Sequence, residues 1–102
     1  MFSDIDFLSG NVKWVYDTLE EDMLQVEYPN NYVLNAGWNE SQQTYDIFIF
    51  RDSSSYPVAK YVATNTENAR TLLIQAIKRI DEESQKSKPY YGSLWETEII
   101  EL

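Results

Sequence analysis

The chain has 102 residues, of which 43% are hydrophobic and 15% aromatic, and its formal net charge at pH 7 is −9. This aromatic content is too high for a disordered acidic segment, and the length predicts one domain over residues 1–102. Because histidine and cysteine are both missing, a Ser-His-Asp triad, a Cys-His pair, a disulfide and an ordinary zinc site are excluded.

The first quarter of the chain predicts an arm and a helix. Residues 1–10 mix apolar and acidic side chains and fit either a short helix or an arm lying on the core. The next apolar residues recur at i, i+3, i+4, i+7 and i+11, which predicts an amphipathic helix. One feature opposes it, since Glu20, Glu21 and Asp22 fall in the last turn, where the helix dipole disfavours negative charge. The predicted stripe is Val12, Val15, Tyr16, Leu19 and Met23.

The middle of the chain predicts strands joined by polar turns. Apolar and polar residues alternate, and Pro29-Asn30-Asn31 is a turn signal between two such segments. The segment Tyr45–Phe50 is apolar on both faces, which predicts a central strand whose aromatics lie in the core. The predicted strands are residues 24–28, 32–38, 45–50 and 58–63, with loops at 39–43 and 51–56.

The last third predicts a helix and a tail. Asn65 or Thr66 can cap the helix, which is expected to end near Glu83 or Ser84. Residues 84–93 are predicted to be a connector, and residues 94–102 fit an edge strand or a short helix equally well. The predicted buried helix face is Ala69, Leu72, Leu73, Ala76, Ile77 and Ile80.

This order of elements predicts an α+β fold. An antiparallel sheet of three to four strands would form one layer, and the helices would pack on one of its faces. We see no signal-length or membrane-length apolar run, so a cytoplasmic protein is expected.

Negative charge is concentrated in the first half of the chain. Residues 1–50 carry nine carboxylates and one lysine, net −8, whereas residues 51–88 have a net charge of +2 and residues 89–102 of −3. Such asymmetry fits a solubilising surface or a docking face for a basic protein. It opposes nucleic acid and anionic membranes as partners, since both repel carboxylates.

Specific sites for a metal or a cofactor are not predicted. The clusters Asp4/Asp6 and Glu20–Asp22 offer oxygen ligands for Mg²⁺ or Ca²⁺, but neither has the EF-hand pattern. The three glycines, Gly10, Gly37 and Gly92, cannot make a phosphate-binding loop. We therefore expect no catalytic residue, no metal and no cofactor.

Aromatic residues beside carboxylates are the candidate partner-binding residues. Trp14, Tyr28 and Trp38 resemble interface anchors surrounded by steering charge. The alternative for each tryptophan is that it closes an edge of the core. The predicted partner-binding set is Trp14, Asp17, Glu20, Glu21, Asp22, Glu27, Tyr28, Trp38 and Glu40.

One stretch of the chain resembles a known kind of protein. The run Tyr32–Trp38, a polar turn, Tyr45–Phe50, a loop with Pro57 and a helix beginning Thr66-Glu67 is similar to small acidic immunity proteins. These are cytoplasmic antidotes encoded beside bacterial toxins of the contact-dependent inhibition and polymorphic-toxin type. The resemblance covers about residues 32–83. It implies a protein that binds a basic toxin domain, often a nuclease, and occludes its active site.

Charge, composition and resemblance together predict a non-enzymatic acidic binding protein. It would neutralise a basic toxin domain in the cytoplasm and exist as a monomer or weak dimer. An alternative is an acidic nucleic-acid mimic or adaptor that inhibits a host or phage nucleic-acid-binding protein. A third hypothesis is a small carboxylate-dependent enzyme or metal protein.

Overall fold

The described residues form a six-stranded sheet with one long helix on one face. A computed structural model describes residues 1–52, 56–86 and 98–102. The strands follow one another in chain order across the sheet. The elements are β1 (Asn11–Val15), β2 (Leu24–Tyr28), β3 (Tyr32–Asn39), β4 (Thr44–Arg51), β5 (Ala59–Ala63), α1 (Thr66–Ser84) and β6 (Glu98–Glu101).

The predicted α+β class is confirmed, but the predicted strand number is wrong. Strands β1 to β5 pair antiparallel, while β6 lies parallel to β5. The two additional strands are the edge strands β1 and β6. The sequence predicts a helix at the position of β1, and it leaves residues 94–102 open between a strand and a helix. The helix α1 lies between β5 and β6 in the chain. Two parallel neighbouring strands need a long crossover connection of this kind.

The predicted helix over residues 12–23 is wrong, because residues 11–15 form β1 and residues 16–23 a loop. Val12, Tyr16 and Leu19 are 41%, 53% and 52% exposed, Val15 is partly buried against the core, and of the stripe only Met23 is fully buried. Valine favours strands. Pairing with β2 therefore wins over a helix whose last turn would carry three carboxylates.

The remaining predicted elements are confirmed to within one or two residues. β4 lies between β3 and β5 in the sheet, as expected for a central strand. α1 begins where predicted, because the Asn65 side chain accepts a hydrogen bond of 2.8 Å from the Asn68 amide. All six residues of the predicted helix face are buried.

The tail and the connector are described in part. Of the two alternatives for residues 94–102, an edge strand or a short helix, residues 98–101 form a strand, β6. Ser84 belongs to α1 rather than to a connector. Residues 53–55 of the predicted loop and residues 87–97 of the predicted connector and tail lie outside the described residues. In the described parts of the chain, no helix combines the length and apolar character that a membrane crossing requires.

Residues 1–10 form an arm that lies on the core, and not the short helix that was the alternative. Phe2 and Phe7 are buried in the core beneath α1. Asp17 holds the arm, because its carboxylate accepts hydrogen bonds from the Phe2 amide at 2.8 Å and from the Ser3 hydroxyl, and pairs with the terminal amine at 3.2 Å. These bonds, with the Ser3 hydroxyl first, lower the pKa of Asp17 below its ordinary value.

The β1–β2 loop lies directly against Gly37 of β3. A Cβ at this position would lie 2.8 Å from the Glu21 carbonyl carbon and closer still to its oxygen. Two backbone hydrogen bonds to β3 hold the loop there. The Trp38 amide donates to the Glu20 carbonyl oxygen (2.7 Å), and the Met23 amide donates to the Ala36 carbonyl oxygen (2.8 Å). Glycine is therefore needed for the close approach of two backbones.

Gly37→Ala is expected to lower the free energy of unfolding by about 1–3 kcal/mol, because the added methyl group collides with the Glu21 backbone. Strand propensity alone would have the opposite sign. Urea denaturation measures the change. Val62→Ile also adds one carbon, at a half-buried position of β5, and is expected to stay within about 0.5 kcal/mol of wild type. Equal values for the two variants would contradict the loop placement.

Asp17→Asn is expected to reduce stability at pH 7 more than at pH 3. The folded pKa of Asp17 lies below the unfolded value of 3.8, so its contribution is complete above that value and is lost as the pH falls below it. Urea denaturation at the two pH values measures the difference. Ser3→Ala removes one donor and is expected to fall between wild type and Asp17→Asn. A difference from wild type that is independent of pH would refute this role.

Candidate functional site

The two faces of the sheet have different surroundings. One row of paired residues, Val26, Leu34, Ile49 and Ala59, is buried on the side of α1. The neighbouring row points the opposite way, and we call this side the open face. Apart from the β1–β2 loop, none of the described elements packs across it. Its central row is Trp14, Gln25, Asn35, Phe48, Lys60 and Ile99.

A groove of about 310 Å³ lies on the open face beside the β1–β2 loop. Its floor is formed by β3 and β4, and the loop forms one wall. The approach of the loop over Gly37 brings Glu21 and Asp22 to this wall. The groove is lined by Glu21, Asp22, Asn35, Ala36, Gly37, Trp38, Asn39, Asp46, Phe48 and Phe50.

Phe48 and Phe50 form the aromatic part of the floor. Their ring centroids are 5.8 Å apart and the rings are inclined by 29°. Both are only half-buried, so the prediction that the aromatics of this strand lie in the core holds for Tyr45 alone and is wrong for these two. The reason is that α1 covers one face, whereas successive residues of β4 point to opposite faces.

Asp46 is a nearly buried carboxylate at the groove, with 8% of its surface exposed. Its carboxylate accepts hydrogen bonds from the side-chain amide of Asn39 at 3.1 Å and from the Thr44 hydroxyl at 2.9 Å. Both donors are neutral, and within the described residues neither Asp46 nor Glu21 nor Asp22 forms an ion pair. The groove thus holds three carboxylates whose charge is not balanced by a cation of the described chain.

One further polar group lines the groove and another lies beside it. Asn35 Oδ1 is enclosed and is the one buried side-chain oxygen or nitrogen without a partner among the described residues. Lys60 Nζ lies 5.6 Å from the centroid of Phe48, on the β5 side, and does not line the groove. In the described ranges, no group of three or more Asp and Glu is placed to hold a metal ion; the expectation of no metal stays a prediction.

The sequence-predicted residues fall on different parts of the molecule, and the first group lies on or beside the open face. Trp14 on β1 stands opposite Gln25 on β2. Glu27 forms an ion pair of 3.5 Å with Lys13. Glu21 and Asp22 line the groove, and Glu20 belongs to the same loop. This group matches an acidic surface beside a half-buried tryptophan.

The second group has contacts within the fold. Tyr28 is buried under α1, where its hydroxyl donates to the Phe7 oxygen at 2.8 Å and burial raises its pKa above the ordinary value. Trp38 packs on Tyr45 at 4.9 Å and donates to Glu40 at 2.6 Å. Asp17 fastens the N-terminal arm. The structure therefore does not bring the nine predicted residues together on one surface.

The predicted set contains three residues that line the groove and lacks the other seven, which are Asn35, Ala36, Gly37, Asn39, Asp46, Phe48 and Phe50. Asp46, Phe48 and Phe50 were interpreted as parts of a central strand and not as site residues. One signal was present, because a strand that is apolar on both faces needs a cover on each side, and the sequence offers one clear helix. Asn35 carried no comparable signal.

No protein-family model, no curated protein and no solved structure matches the chain. The resemblance to immunity proteins therefore stays a prediction. Function has to be argued from the chemistry of the open face.

Asn35→Leu is expected to raise the free energy of unfolding by about 1 kcal/mol, because it removes a buried oxygen that has no hydrogen-bond partner. The same change at Asn39 is the matched control. Asn39→Leu removes bonds to Asp46, Ser41 and Gln42 and is expected to destabilise by about 1–2 kcal/mol. Urea denaturation distinguishes the two. Destabilisation by Asn35→Leu of the same size would argue against an unsatisfied oxygen.

Proposed function

We propose that the protein is a non-enzymatic binding protein that neutralises a basic toxin domain by covering its active site with the open face. The observation that carries this proposal is an aromatic floor, Phe48 and Phe50, beside three carboxylates without a described cation. Aromatic side chains that are incompletely buried, with polar and charged groups around them, resemble the aromatic core and polar rim of a specific interface.

The charge of the chain supports a basic partner. With a net charge of −9, the protein attracts a cationic surface over about one Debye length, roughly 8 Å at physiological ionic strength. Steering of this kind raises the rate of association and weakens as salt is added. In the active site of a nuclease, the carboxylates of the loop would take the positions of substrate phosphates.

The open face also supports a rigid mode of binding. Phe48 and Phe50 stand on a central strand that is paired on both sides, so little conformational entropy is lost when they are covered. Glu21 and Asp22 are placed by a loop that is bonded to β3 through its backbone. Trp14, Glu20 and Glu27 would extend the contact towards β1.

The partner is identified by capture from the native host. The tagged full chain is used as bait, and the captured protein is identified and tested for toxicity. A basic protein whose toxicity is abolished by the chain supports the proposal. Capture of a non-toxic nucleic-acid-binding protein would instead favour the acidic mimic, and binding that does not change between low and physiological salt would refute electrostatic steering.

Glu21→Lys together with Asp22→Lys is expected to weaken binding of the captured toxin by at least about tenfold, since it replaces attraction by repulsion at the groove. The matched control is Glu82→Lys with Glu83→Lys on α1, which changes the net charge by the same amount. It is expected to retain binding within about threefold. Calorimetry or surface plasmon resonance measures both affinities. Equal losses would mean that overall charge, and not the open face, determines binding.

A further inference from the structure

We infer that the groove on the open face is a subsite for an arginine side chain of the partner. This inference rests on the proposed function, because it names the group of the basic partner that enters the groove. Its basis is the combination of two half-buried aromatic rings with carboxylates on the loop and on β4 that form no ion pair within the described residues.

The electrostatics of the groove require a cation. Glu21 and Asp22 stand on the loop wall, and Asp46 approaches from β4. Asp46 has neutral donors only, and its low exposure reduces the screening of its charge by water. The Lys60 ammonium lies over the Phe48 ring, 5.6 Å from its centroid, but Lys60 does not line the groove and forms no ion pair with these carboxylates.

The shape of the groove favours a flat cation. The rings of Phe48 and Phe50, whose centroids are 5.8 Å apart, line the groove beside the carboxylates and are each half-buried. A guanidinium group stacks on such a ring and directs five donors outward in its own plane, so one face contacts the aromatic floor while its edge meets carboxylates. An ammonium is compact and strongly hydrated, and it makes no comparable contact.

The size of the groove fits one side chain. Its volume of about 310 Å³ is at the low end of the roughly 300–1,000 Å³ that is usual for small-ligand pockets. A polymer or a folded element of the partner does not enter a space of this size. The rest of the interface would then lie on the surrounding sheet surface, with the arginine as its central anchor.

The test is an NMR titration of the full chain with Nα-acetyl-arginine amide. Saturable shifts are expected for Asn35, Gly37 and Phe48. Nα-acetyl-citrulline amide has nearly the same shape without the charge, and is expected to cause no saturable shift. Nα-acetyl-lysine amide is expected to bind at least about threefold more weakly than the arginine probe, because it lacks the planar fork.

Two variants show whether the groove itself binds the probe. Asp22→Asn is exposed on the loop and Phe48→Leu keeps an apolar side chain on β4, and each is expected to weaken binding by at least about threefold. Glu82→Gln on α1 is the control and is expected to bind as wild type does. Equal shifts with citrulline, binding of lysine as tight as that of arginine, or unchanged binding by both groove variants would overturn the inference.

The outcome is separable from that of the proposed function. If the arginine probe does not bind but a basic toxin is captured and inhibited, the subsite is wrong and the proposed function stands. If the probe binds as expected but no basic toxin is captured, the subsite stands and the proposed function is wrong.

Discussion

One helix can cover only one face of a six-stranded sheet, and this constraint shapes the rest of the molecule. The apolar row under α1 becomes the core, together with Phe2 and Phe7 from the N-terminal arm. The apolar residues on the other side of the same strands remain half-buried. A strand such as β4, which is apolar on both sides, thus contributes to the core with one face and to a surface with the other.

Gly37 connects this sheet to the acidic loop. Because it has no side chain, the Glu21 backbone rests directly on β3. The loop then brings Glu21 and Asp22, which remain exposed to solvent, to the same groove as the aromatic rings. A glycine, rather than any charged residue, is what turns a charged loop and an apolar strand into one groove.

The carboxylates of the chain have two different roles. Asp4, Asp17 and Asp81 are bound to arginine, serine or backbone donors and hold the N-terminal arm in place. Glu21, Asp22 and Asp46 form no ion pair within the described residues. Counting charges along the sequence does not separate the two groups, since Asp17 and Asp22 are only five residues apart.

From the sequence alone follow the α+β class, the four internal strands and α1 with a cap at Asn65 or Thr66, because local periodicity and turn residues specify these elements. Only the tertiary structure decided that residues 11–15 form a strand. Pairing with β2 gives their backbone hydrogen-bond partners in the sheet, whereas a helix there would have an apolar stripe that no other element covers. The tertiary structure also decided which apolar residues stay uncovered, for burial depends on what packs opposite. The groove at Gly37 joins residues from distant segments, and proximity of that kind is a property of the folded chain.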